Sequence, residues 1–173
     1  VLVEQPGADV LFLTSAGTDI SCLDASLPSN PAWNERIRAL PLSCLDHPAQ
    51  LDHYLNTTAQ AAHLIVVRLL GSRGHWSYGL EQLQRWCSEA KQRQLIVLAG
   101  TADQSNELHG LGSCSVELAD QLSALLREGG IDNMGRFLGA LEALLEGTPP
   151  SPDIVAVVPC PCLLYTSDAA DDC

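Results

Sequence analysis

A chain of 173 residues, 46% hydrophobic and 17% charged, is long enough for one domain with its own core and too apolar for a disordered solvating segment. Twenty-one acidic residues against nine scattered basic ones give a formal charge of −12, which repels a phosphate backbone and excludes a nucleic-acid partner. No apolar run approaches the roughly 18–20 residues that span a bilayer, and Val1-Leu-Val-Glu-Gln-Pro6 has neither the basic flank nor the apolar stretch of a secretory leader.

The run Asp9-Val-Leu-Phe-Leu-Thr-Ser15, closed by Ala-Gly, predicts a strand buried on both faces. A short helix is expected from Asp19 to Ser26, with Thr18 at its N-cap, and Pro28-Ser-Asn-Pro31 breaks it. Arg38-Ala-Leu-Pro-Leu-Ser43 reads as a second strand whose proline confines it to a sheet edge. Asp46 is expected to cap a helix from about Pro48 to Ala61. His63-Leu-Ile-Val-Val-Arg-Leu-Leu70 is the strongest strand, rich in β-branched residues. After a Gly-Ser-Arg-Gly loop, the spacing predicts a helix over 79–93 with Leu80, Leu83, Trp86, Cys87 and Ala90 on one face. Gln94-Leu-Ile-Val-Leu-Ala-Gly100 is another buried strand. Two helices come next, Val116 to Glu128 stopped by Gly129-Gly130, and Asp132 to Leu145 stopped by Gly147. A last buried strand is expected from Ile154 to Val158. Strands alternating with helices predict an α/β fold, an open doubly wound, mostly parallel sheet of flavodoxin or Rossmann type with helices on both faces.

In such a sheet ligands gather outside the carboxyl ends of the strands. Three loops qualify: Ser15 to Asp19, Gly71 to Tyr78, and Gly100 to Gln104. The middle one offers Arg73 as an anion partner, His75 as a titratable group, and Trp76 and Tyr78 as flat apolar surfaces, a set suited to a large ring bearing carboxylates. The competing reading makes Trp76 and Tyr78 a cap on the sheet end, with Arg73 paired to a local carboxylate. The Gly-rich loops lack the Gly-Lys-Ser/Thr ending of a phosphate-binding loop, and Gly110-Leu-Gly112 is too little for a dinucleotide fingerprint. No Gly-x-Ser-x-Gly elbow is present. His47, His53, His63, His75 and His109 lack metal-ligand spacing and read as partly exposed surface histidines. No catalytic residue and no metal site is assigned.

Cys22, Cys44, Cys87 and Cys114 stand singly in core-like segments, as buried thiols of a cytoplasmic protein do. Cys160, Cys162 and Cys173 belong to a different composition. Cys162-Leu-Leu-Tyr-Thr-Ser-Asp-Ala-Ala-Asp-Asp172 resembles the in-frame translation of a transposon-end sequencing adapter. Residues 160–173 are therefore expected to be a non-native tail, and the gene to run on past Pro159. The only methionine is Met134, so the start is either clipped or opens inside a gene.

Three stretches carry a family resemblance: Leu64-Ile-Val-Val-Arg-Leu-Leu-Gly-Ser-Arg-Gly-His-Trp-Ser-Tyr-Gly-Leu-Glu81, Leu95-Ile-Val-Leu-Ala-Gly-Thr-Ala-Asp103, and Leu125-Leu-Arg-Glu-Gly-Gly-Ile-Asp-Asn-Met-Gly-Arg-Phe-Leu138. In order and spacing they resemble the start of the large subunit of aerobic cobaltochelatase, the CobN type, related to the large subunit of magnesium chelatase. The likeness spans residues 9 to 159, departing at Ala99-Gly100 where a proline-glycine pair is the family's pattern. It implies that residues 1–159 are the N-terminal α/β head region of a much longer subunit. Such subunits bind a corrin precursor, hydrogenobyrinic acid diamide, for cobalt insertion in cobalamin biosynthesis. It also implies AAA+ and integrin-I-like partner subunits, with ATP on the partners and none on this piece, which by itself is expected to be inactive. Arg73, His75, Trp76 and Tyr78 carry over as a recurring motif that could face the ring. The rival readings are a magnesium chelatase subunit handling a porphyrin, and a stand-alone flavodoxin-like binding module without catalysis. A chelatase subunit of either kind needs a very long reading frame beyond Pro159, and the stand-alone module needs a stop codon nearby.

Overall fold

The computed structural model describes residues 1–71 and 73–160, so the expected tail lies outside the described residues except for Cys160. Four parallel strands, β1 (Val10–Thr14), β2 (Ile37–Pro41), β3 (Leu64–Leu69) and β4 (Gln94–Ala99), form one sheet in the order β2-β1-β3-β4. The helices are α1 (Gly17–Ser26), α2 (Pro48–Asn56), α3 (Ser77–Ser88), the single turn α4 (Ser105–Leu108), α5 (Val116–Glu128) and α6 (Ile131–Leu145). The predicted α/β class is borne out.

The near-continuous apolar runs of the strands follow from burial on both faces. Leu11, Leu13, Ile65, Val67, Leu95 and Val97 point to one side, where α2 and α3 supply Leu51, Tyr54, Leu80, Leu83 and Trp86. Val10, Phe12, Leu64, Val66, Ile96 and Leu98 point to the other, against Leu23 of α1, Leu122 and Leu125 of α5, and Phe137 and Leu141 of α6. β2 is an edge strand, as its proline demanded. The chain winds from β1 to β2 in one direction and then crosses to β3 on the other side. The carboxyl ends of β1 and β3 are thus the topological switch point.

Several local expectations are corrected. α1 begins at Gly17, with Ala16 rather than Thr18 at its N-cap. Asp46 is not the cap of α2. His47 is, in a capping box with Gln50, and the helix ends at Asn56 before a separate 3-10 turn, Thr58–Ala61. The fifth strand is absent. Residues 151–160 run along α6 instead: Ile154 rests so closely on Gly139 that a Cβ there would come within 2.9 Å of its Cδ1. Asn133 brackets Val158, its Nδ2 donating to the Val158 carbonyl at 2.7 Å and its Oδ1 accepting the Val158 N–H at 2.8 Å. An apolar run that packs on a helix has the same sequence signature as one that packs in a sheet.

The outer edge of β4 is closed by a loop. Ser113 donates its N–H to the Leu95 carbonyl (2.7 Å), and its Oγ accepts the Leu95 N–H (2.9 Å). Gly112 passes so near that a Cβ would sit 2.6 Å from the Leu95 oxygen. At the other end of the strand His109, only 1% exposed, accepts the Ala99 N–H at Nε2 (3.0 Å). That fixes the proton on Nδ1, which faces Asp120 Oδ1 at 2.6 Å. His109 is therefore a buried edge-strand cap, not the surface histidine its spacing implied. His109→Ala strands a buried N–H and leaves a hole, and should lower stability by about 2–3 kcal/mol. A urea midpoint matching wild type would show that the histidine does not hold this edge.

Candidate functional site

β1 ends in Thr14 and β3 in Arg68-Leu69, so the switch point is built from a hydroxyl and a cation inside otherwise apolar strands. Asp19, in the first turn of α1, meets both. Arg68 Nη1 donates to Asp19 Oδ1 at 2.6 Å, and Thr14 Oγ1 donates to Asp19 Oδ2 at 2.7 Å. The side chains of Arg68 and Asp19 are only 7% and 4% exposed. Thr14 Oγ1 also accepts the Ala16 N–H (3.0 Å), which shapes the turn from β1 into α1. Arg68 Nη2 reaches the Gly100 carbonyl at 3.4 Å, tying in the end of β4.

This network has a chemical consequence. The N-terminus of the first helix is where a doubly wound sheet usually receives a phosphate, because free N–H groups and the helix dipole favour an anion there. Here the carboxylate of Asp19 already stands in that first turn, neutralised by Arg68. The switch point is internally filled, in keeping with the lack of a phosphate-binding motif.

On the α2–α3 side of the same sheet edge a groove of about 250 Å³ opens between the ends of β1 and β2 and the loop after β3. Thr14, Ser15, Ser43, Asp46 and His75 supply its polar side chains, while residues such as Leu70 and Trp76 supply apolar wall. Two of the three loops picked out by their position line this groove, and the third braces the second. The first gives Ser15, the second gives His75 and Trp76, and Gln104 of the third accepts the Gly71 N–H through Oε1 at 3.2 Å. Gly71 has φ +114°, and a Cβ on it would lie 3.0 Å from His75 Nδ1, so glycine is required on both counts.

The four candidate residues separate. Arg73 and His75 lie exposed in a 3-10 turn, Arg73–Trp76, and His75 lines the groove. Trp76 turns inward: it is 8% exposed, its Nε1 donates to the Leu45 carbonyl (3.3 Å), and its indole lies over Gly79, where a Cβ would come within 2.2 Å of the ring. Only the edge of this indole reaches the groove. Tyr78 sits on α3, in a different depression between α2 and α3, with its hydroxyl donating to Asp52 at 2.8 Å. That bond to a carboxylate pushes the phenol pKa up. The structure brings His75 and the Trp76 edge together, keeps Arg73 on the same turn, and sends Tyr78 elsewhere.

Sequence reasoning missed Asp19, Arg68, Ser43 and Asp46. An arginine inside Leu64-Ile-Val-Val-Arg-Leu-Leu70 was the available signal, since a charge in a doubly buried strand demands a partner. Among the described residues no group of three or more His, Cys, Asp or Glu side chains could hold a metal ion. Burial raises the pKa of the Cys22, Cys87 and Cys114 thiols, which keeps them protonated and unreactive. No described helix is long and apolar enough to cross a membrane.

Comparisons with known proteins point one way. The chain is 34% identical over 143 residues to the aerobic cobaltochelatase subunit CobN of a Sinorhizobium species, and 30% identical over 144 residues to that of Pseudomonas aeruginosa. Each alignment covers 83% of this chain but 11% of the relative. The catalytic subunit of cobaltochelatase from Mycobacterium tuberculosis superposes with a TM-score of 0.58 at 20% identity, over 91% of this chain and 12% of that one, and shares its fold. No family model matches. The resemblance carried by the three stretches is borne out: the chain is similar to a segment of CobN-type cobaltochelatase subunits, and spans about a ninth of their length.

Proposed function

We propose that residues 1–159 are the amino-terminal region of an aerobic cobaltochelatase large subunit, which takes up hydrogenobyrinic acid diamide for ATP-dependent insertion of cobalt in cobalamin biosynthesis. The observation that carries this reading is the 34% identity to a CobN subunit across 83% of the chain. The reaction is that of a ligase forming nitrogen–metal bonds, with cobalt and the corrin as substrates. ATP is handled by AAA+ and integrin-I-like partner subunits, in keeping with the missing phosphate-binding loop and the self-filled helix terminus. The complex works in the cytoplasm, and residues 160–173 are a non-native tail.

The part of this region that faces the ring is the carboxyl edge of β1 and β3. His75 lies in the groove and Arg73 is exposed on the same 3-10 turn, where a guanidinium can pair with a peripheral carboxylate. Trp76 presents an edge to the groove rather than a stacking platform, and serves as the fluorescent reporter. Tyr78 stands apart and contributes through the α2–α3 surface.

Titrating the 173-residue chain with metal-free corrin diamide should quench tryptophan emission saturably. Arg73→Ala should weaken that binding about ten-fold, the scale of one charge-assisted hydrogen bond. Without partner subunits the chain should neither hydrolyse ATP nor insert cobalt. Tighter quenching by a protoporphyrin than by the corrin would move the assignment to magnesium chelatase. No quenching by either ring would leave a binding module of another kind.

A further inference from the structure

The groove is too small for the ring it is proposed to face. Pockets that enclose a drug-sized ligand run to about 300–1,000 Å³, and a tetrapyrrole macrocycle is larger than most such ligands. A space of about 250 Å³ accepts one arm of the ring periphery and leaves the macrocycle outside. Resting on the reading above, we infer that this groove seats a primary carboxamide arm of the ring, held by Ser15 and Ser43, and that Asp46 makes it select amide over free acid.

The selection follows from the donor and acceptor inventory. The side chains lining the groove include no lysine and no arginine. Its one carboxylate, Asp46, closes the 3-10 turn Leu42–Leu45 that follows β2, and Ser43 lies within that turn. A carboxylate is an acceptor, so it welcomes the two N–H bonds of an amide and repels a second carboxylate. The hydroxyls of Ser15 and Ser43 can donate to the amide oxygen. The nearest buried cation of this edge, Arg68, is engaged by Asp19 rather than by Asp46. The chain's overall charge of −12 acts in the same direction. Apolar contact from Pro41, Leu70 and the Trp76 edge suits the methylene stem of such an arm. An acid at the same position would set two like charges against each other. Its own place is outside the groove, on the exposed turn that carries Arg73.

The test uses two minimal probes, propionamide and propionate, added to the ¹⁵N-labelled 173-residue chain at neutral pH. Propionamide should move the backbone resonances of Ser15, Ser43 and His75 saturably, and propionate should bind about three- to five-fold more weakly, the effect of one opposed charge at an exposed site. Asp46→Asn, at an exposed position, should abolish that preference, and Ser43→Ala should weaken propionamide without reversing the preference. Equal binding of the two probes, tighter propionate, a preference that survives Asp46→Asn, or no shift at these three residues overturns the inference. The two proposals fail separately. If the corrin diamide binds but the probes do not discriminate, the amide site falls and the ring reading stands. If the probes discriminate and no ring binds, the reverse holds.

Discussion

Asp19→Ala is expected to destabilise the folded chain by about 3–5 kcal/mol, because it leaves the Arg68 guanidinium buried without its counter-charge. For a domain of this size such a loss lowers the melting temperature by roughly 10 °C. Geometry and burial both set the size of the effect. Both oxygens of Asp19 are engaged, by Thr14 and by Arg68, and neither charged side chain is more than 7% exposed. Arg68 Nε is buried with no partner among the described residues, so the site has little slack to absorb a second unmet donor. The double substitution Asp19→Leu with Arg68→Met removes both charges at similar volume and should recover most of the loss, since a buried pair seldom stabilises beyond an apolar replacement. Thermal melts followed by circular dichroism decide it. A single mutant that melts within a degree of wild type would mean water or another group already satisfies Arg68.

If the double mutant is as stable as wild type, stability does not account for the pair, and its geometry does. It ties the first turn of α1 to the end of β3 and, through the Gly100 carbonyl, to the end of β4. Those are the three segments from which the loops around the groove emerge. The double mutant should therefore bind the corrin less well than wild type at equal stability.

The layers of this fold were legible because apolar runs and glycine stops are local signals. Val10 to Thr14, Leu64 to Leu69 and Gln94 to Ala99 lie within a residue or two of their expected limits, and Val116 to Glu128 matches at both ends. The edge position of β2 was legible for a different reason, since Pro41 has no N–H to give a neighbour. Ile154 to Val158 misled because burial, not conformation, sets its composition. The partners that cover it, Gly139 and Asn133, are close in space through α6 rather than through the sheet. The cap on β4 was invisible. His109 and Ser113 act through backbone atoms of a strand ten to eighteen residues earlier, and no spacing rule links a side chain to a distant N–H. At the candidate site the loops were found from topology, whereas Ser43 and Asp46 joined them only through the turn after an edge strand.

Trp76 shows most sharply what a loop sequence leaves open, and it yields the second large effect. An aromatic between Gly74 and Gly79 reads equally well as a displayed surface or as a plug, and the difference lies in what Gly79 permits. Lacking a Cβ, Gly79 lets the indole lie flat on the start of α3, where it joins Leu80 and Leu83 in the core. Trp76→Ala should therefore cost about 3–5 kcal/mol, as other large-to-small core changes do. Trp76→Phe keeps most of the volume and loses only the bond to the Leu45 carbonyl, and should cost about 1 kcal/mol. Gly79→Ala, which drives a methyl into the ring, should be as harmful as removing the ring. Denaturant midpoints of the three variants order them: Phe near wild type, Ala and the Gly79 variant far below. Should Trp76→Ala instead melt with wild type while losing its affinity for the corrin, the indole would be displayed to the ring after all and not a plug in the core.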